Sequence, residues 1–105
     1  MLKFQNKTAL ITGSGTGIGQ AIAKKFVENG ASVIILGRRR EPLDETSKML
    51  ESIIAEKESG AKVRIFSGVD VSDEDAMNKM FDDLKNDNVI VDNIINNAGV
   101  SGPVT

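Results

Sequence analysis

Cysteine, histidine and tyrosine are all absent from this sequence. Without cysteine there is no disulfide, no thiolate nucleophile and no cysteine-held zinc. Without histidine the commonest metal ligand and general base are gone as well. With tyrosine also missing, no evident proton donor of suitable pKa remains, so no catalytic residue and no metal site is assigned. Positive charge is not in excess: the formal net charge is -2 and the pI is near 5.1. That leaves no global basic field for nucleic acid or an anionic membrane, and neither partner is expected. No run approaches the roughly 18 apolar residues of a membrane span, and the opening Met1-Leu2-Lys3-Phe4-Gln5-Asn6-Lys7 lacks the apolar core of a signal peptide. A cytoplasmic location is the resulting expectation.

What is present is the balance of an ordinary globular domain, with 40% apolar and 27% charged residues in 105 positions. Residues 1–105 are expected to form one layered unit, without repeat, linker or low-complexity tract. Short β-branched runs alternate with longer segments whose apolar residues recur every three to four positions, the pattern of βαβ units around a parallel sheet. Thr8 to Thr12 reads as a strand ending at a glycine cluster. A helix follows, its face assigned to Ile18, Ala21, Ile22, Phe26 and Val27, with a stop at Asn29-Gly30. Ser32 to Leu36 is almost continuously apolar, as suits a strand covered on both sides.

After Arg38-Arg39-Arg40, Pro42 can occupy the first turn of a helix carrying Leu43, Leu50, Ile53 and Ile54 and fraying near Ser59-Gly60. Val63 to Ser67 alternates more, as an edge strand does. Ser72 with Asp75 resembles a capping pair opening a third helix, whose face is assigned to Ala76, Met77, Met80, Phe81 and Leu84. Val91 to Asn96 reads as a fourth strand. Right-handed crossovers give a doubly wound α/β sheet of Rossmann type in the order 3-2-1-4. A ligand belongs at the carboxyl ends of the strands, at the switch point between the first and fourth.

Thr12-Gly13-Ser14-Gly15-Thr16-Gly17-Ile18-Gly19 falls where the first strand becomes the first helix. Glycines there let backbone amides approach a pyrophosphate at the helix N-terminus, and no Gly-Lys-Ser/Thr follows that would indicate a Walker loop. Asn96-Asn97-Ala98-Gly99 closes the fourth strand, where small residues let the main chain pass close to a ligand and an Asn side chain can tie the strand to its neighbours. Thr12, Gly13, Gly17 and Gly19, taken with Asn96 to Gly99, resemble the two signature motifs of the short-chain dehydrogenase/reductase family. The resemblance spans essentially all 105 residues but less than half of a complete family member.

The resemblance implies a nicotinamide dinucleotide held by Gly13, Ser14, Thr16, Gly17, Ile18 and Gly19, and by Asn97, Ala98 and Gly99. It further implies that Asp70 accepts from the adenine amino group while the Val71 backbone supports the ring. At the end of the second strand an acid would hold a ribose diol, whereas Arg38 and Arg39 after Gly37 suit a 2′-phosphate. NADP(H) is therefore preferred, with NAD(H) as the alternative. A purely local role for the arginines, balancing Glu41, Asp44 and Glu45, is the competing reading.

The family's catalytic Ser and Tyr-x-x-x-Lys find no counterpart here, since the chain holds no tyrosine. The expectation is the cofactor-binding portion of an enzyme interconverting a carbonyl and an alcohol, inactive alone and homo-oligomeric when complete. The substrate class stays open among 3-oxoacyl thioesters, steroids, sugars and small ketones, with a 3-oxoacyl thioester as the default expectation. The rival is a non-catalytic nucleotide-binding module, and an open reading frame beyond codon 105 would speak against it.

Overall fold

Two apolar strands set side by side, each masked by helices on both faces, organise the molecule. The computed structural model describes residues 3–13 and 17–96. Strands β1 (Thr8–Thr12), β2 (Ser32–Gly37), β3 (Val63–Ser67) and β4 (Asn93–Ile95) alternate with helices α1 (Gly17–Glu28), α2 (Arg40–Lys57) and α3 (Glu74–Asn86). The sheet is parallel in the order β3-β2-β1-β4, as the crossover rule requires. Leu10 lies opposite Ile34 on one side and Ile94 on the other.

The strand period of two divides the core between two layers. Ala9, Ile11, Val33 and Ile35 pack with Ala23 and Val27 of α1 and with Leu43 and Leu50 of α2. Leu10, Ile34 and Leu36 meet Met80 and Leu84 of α3 on the opposite face. Fully burying one such side chain contributes roughly 1.5–3 kcal/mol, which is why β2 carries no polar residue between Ser32 and Gly37. β3, at the sheet edge, is only partly covered.

Four local expectations are corrected. In α1 the buried stripe is Gly19, Ala23 and Val27, flanked by Ile22 and Phe26, while Ala21 is exposed and Ile18 is 62% exposed. Small residues at i and i+4 let this helix lie close to the sheet, so the largest apolar side chain of its first turn is turned outward. The cap of α3 is Asp73, whose carboxylate accepts from the Ala76 amide at 3.1 Å. The Ser72 hydroxyl is turned the other way and donates to Asp70 Oδ1 at 2.7 Å. Phe81 leans out of the α3 face and is 37% exposed, unlike its neighbour Met80. β4 is shorter than expected, because Asp92 turns its carboxylate onto the Thr8 amide at 2.8 Å, at the entry of β1.

The second helix follows expectation at both ends. Pro42 sits in its first turn, and Glu58 closes it in the left-handed region (φ 52°), donating its amide to Ala55.

Candidate functional site

Three turns converge beyond the carboxyl ends of β1, β2 and β3. The β1 turn begins at Gly13, whose φ of 64° lies in the region that favours glycine. The β2 turn runs through Arg38 and the extended Arg39 into α2. The β3 turn passes Gly68, at φ 73°, to Val69, Asp70 and Val71. The Val69 amide donates to the Gly37 carbonyl at 3.2 Å and ties the last two turns together.

Between them lies a cavity of about 400 Å³. Leu36, Leu43, Val69 and Val71 give it apolar walls, Gly13 and Gly37 narrow strips of bare backbone, and Arg38, Arg39 and Asp70 a polar rim. A flat heteroaromatic ring with a charged substituent suits those walls and that rim. Five residues assigned from the sequence, Gly13, Arg38, Arg39, Asp70 and Val71, are thus gathered round one cavity. Leu36, Pro42, Leu43 and Val69 line it too and were not singled out. Their signal was positional: each sits at the carboxyl end of a strand or in the helix turn that follows one.

The arginine triplet divides its work. Arg38 Nη2 lies 2.5 Å from Asp70 Oδ2, while Arg40 Nε donates to Asp44 Oδ1 at 2.8 Å, one turn along α2. Local charge balance therefore describes Arg40, whereas Arg38 and Arg39 belong to the cavity rim. Asp70 also accepts at Oδ1 from the Ser72 amide at 2.9 Å and the Ser72 hydroxyl at 2.7 Å. These hydrogen bonds, the Ser72 hydroxyl foremost and then the Ser72 amide and Arg38, lower its carboxyl from 3.8 to about 2.

Gly17 opens α1 with open space where a side chain would stand, and Gly19 is buried. The first turn of α1 carries no acid, whereas those of α2 and α3 carry Glu41 and Glu74-Asp75. An anion at the amides that open α1 therefore meets no competing carboxylate within that turn. At the switch point the buried Thr12 hydroxyl lies 3.3 Å from Asn96 Oδ1 and 3.4 Å from the Ile95 carbonyl, joining the ends of β1 and β4. Ser14, Thr16, Asn97, Ala98 and Gly99 lie outside the described residues. Among the described residues no helix is long and apolar enough to cross a membrane.

Residues 7–105 match the family described as short chain dehydrogenase. The chain belongs to that family. An uncharacterized oxidoreductase of Bacillus subtilis, YxbG, is 39% identical over 95% of this chain and 34% of its own length. The NADP-dependent (R)-specific alcohol dehydrogenase of Lentilactobacillus kefiri is 36% identical over 94% of this chain and 36% of its own length. Among solved structures, a short-chain type dehydrogenase/reductase from Mycobacterium ulcerans superposes with a TM-score of 0.78 at 32% identity, covering 90% of this chain and 33% of that one. This member of the family thus spans about a third of the length of the relatives it matches.

Proposed function

We infer that the chain binds the adenosine and pyrophosphate of a nicotinamide dinucleotide, NADP(H) in preference to NAD(H), and is the cofactor-binding portion of an oxidoreductase interconverting a carbonyl and an alcohol. The observation that carries this reading is the cavity with apolar walls and two arginines at its rim. Leu36, Leu43, Val69 and Val71 would bracket the adenine, and Asp70 would meet its amino group. Arg38 and Arg39 would take the 2′-phosphate through charge-assisted hydrogen bonds. Gly13, Ser14, Thr16, Gly17, Ile18 and Gly19 would pass the pyrophosphate along the amides that open α1. Asn97, Ala98 and Gly99 would let the backbone approach the nearer ribose.

The cofactor, when bound, would give up a hydride in its reduced form and take one up in its oxidised form; everything derived from these residues concerns binding and orientation. The NADP dependence of the Lentilactobacillus relative is in keeping with the arginines at the end of β2. The substrate of the whole protein is proposed to be a small carbonyl or alcohol, and the whole protein a homo-oligomer. The test is titration with NADPH and NADH, read by cofactor fluorescence, which no tryptophan or tyrosine of this chain obscures. Saturable binding that is tighter for NADPH supports the reading; equal or absent binding of the two would sink it.

A further inference from the structure

Arg38 and Asp70 stand on different turns of the same cavity rim, and they are paired to each other at 2.5 Å. The two partners are not equally free to move. Asp70 is pinned at its other oxygen by the amide and hydroxyl of Ser72, and its own carbonyl accepts from the Asp73 amide at 2.9 Å. The Arg38 side chain is 73% exposed on a long flexible stem, so it is the member that can exchange partners.

A phosphate approaching Arg38 competes with a carboxylate already bound to it, and is repelled by that same carboxylate. We propose that Asp70 is the built-in counter-ion of Arg38, and that it moderates how strongly the cavity prefers a 2′-phosphorylated adenosine over an unphosphorylated one. This rests on the reading of the cavity as a dinucleotide site. It adds a role for Asp70 that is separate from contact with the base: the carboxylate sets the strength of the phosphate site through Arg38. Removing the charge of Asp70 while keeping its shape releases the guanidinium and lifts the repulsion. At a solvent-exposed pair the gain is about two- to fivefold, and it shrinks at high salt.

The experiment is calorimetric titration of the full chain with 2′,5′-ADP and with 5′-AMP, which differ only in the 2′-phosphate. Four proteins are compared: the unaltered chain, Asp70→Asn, Arg38→Gln and the double variant, each checked for native circular dichroism. Asp70→Ser serves as a second neutral variant if Asn perturbs the Ser72 turn. The expected result is that Asp70→Asn raises the preference for 2′,5′-ADP over 5′-AMP by about two- to fivefold, and that the rise disappears in the Arg38→Gln background. The proposal is overturned if Asp70→Asn weakens both ligands equally, leaves their ratio unchanged, or raises it without Arg38. Failure of the unaltered chain to bind either nucleotide overturns the dinucleotide reading and this proposal together. Preference for 2′,5′-ADP that depends on Arg38 but not on Asp70 overturns this proposal alone.

Discussion

The hydroxyl of Thr12, at the end of β1, lies 3.3 Å from the side-chain oxygen of Asn96, just past the end of β4. Each residue belongs to a different signature motif, and the contact closes the sheet at its switch point. Thr12→Val keeps the volume and removes the hydroxyl. The expected loss is about 0.5–1.5 kcal/mol, concentrated at the β1–β4 pairing. Native-state hydrogen exchange should show faster exchange at the β4 amides with little change in β2. Uniform acceleration across the sheet would mean that the contact has no local role.

Gly13→Val and Gly19→Val should abolish cofactor binding for different reasons. At Gly13, φ 64° puts a β-branched residue in a region costing about 1–3 kcal/mol, and its side chain would project at the cavity edge. Gly19 is buried on the inner stripe of α1, so a side chain there should disturb the packing of that helix. Circular dichroism should retain most of the signal while NADPH fluorescence enhancement is lost. Tight binding in either variant would reduce that glycine to a turn residue.

Arg38→Asp removes a charge-assisted donor and places a second carboxylate beside Asp70. NADPH affinity should fall by roughly ten- to a hundredfold, with a smaller change for NADH. Unchanged NADPH affinity would remove Arg38 from the phosphate site.

The Asp70 carboxyl is lowered from 3.8 to about 2 by the Ser72 hydroxyl and amide and by Arg38, so as pH falls the unfolded chain takes up this proton before the folded one does. The stability it contributes is complete above the unfolded value and is lost as pH drops through the folded one. Denaturant unfolding of the unaltered chain and Asp70→Asn should therefore converge between pH 4 and pH 2 and stay a constant distance apart above pH 5. A gap that does not change with pH would show that the Ser72 and Arg38 contacts do not depend on the charge.

Ile94 on β4 and Ile90 before it are 60% and 77% exposed, and among the described residues β4 pairs only with β1. An apolar parallel edge of this kind promotes association. Light scattering on the 105-residue chain should show oligomers or aggregates that Ile94→Lys reduces, and a carbonyl panel should show no NADPH oxidation. A monodisperse chain that turns over substrate would overturn both expectations.

Local periodicity was enough to read the architecture. The unbroken apolar run Val33 to Leu36 announces a strand buried on both faces, and the alternation of strands with helices, joined to the handedness of crossovers, fixes the order β3-β2-β1-β4. The glycine at the end of β1 and the arginines after Gly37 point to the cavity because each follows a parallel strand. The inner face of α1 was legible only in part: Gly19 and Ala23 are buried because they are small, a choice made by the closeness of helix to sheet and not by hydrophobicity. The diversion of the Ser72 hydroxyl to Asp70, and with it the shift of the α3 cap to Asp73, depended on a turn whose geometry no spacing rule encodes. Which arginine meets Asp70 was decided by tertiary structure alone, since Arg38 and Asp70 are 32 residues apart and become partners only because the turns leaving β2 and β3 are held together at Gly37 and Val69. A sequence records which side chains are available within a few residues of one another, whereas pairing across strands depends on register and reach, and those exist only once the sheet has formed.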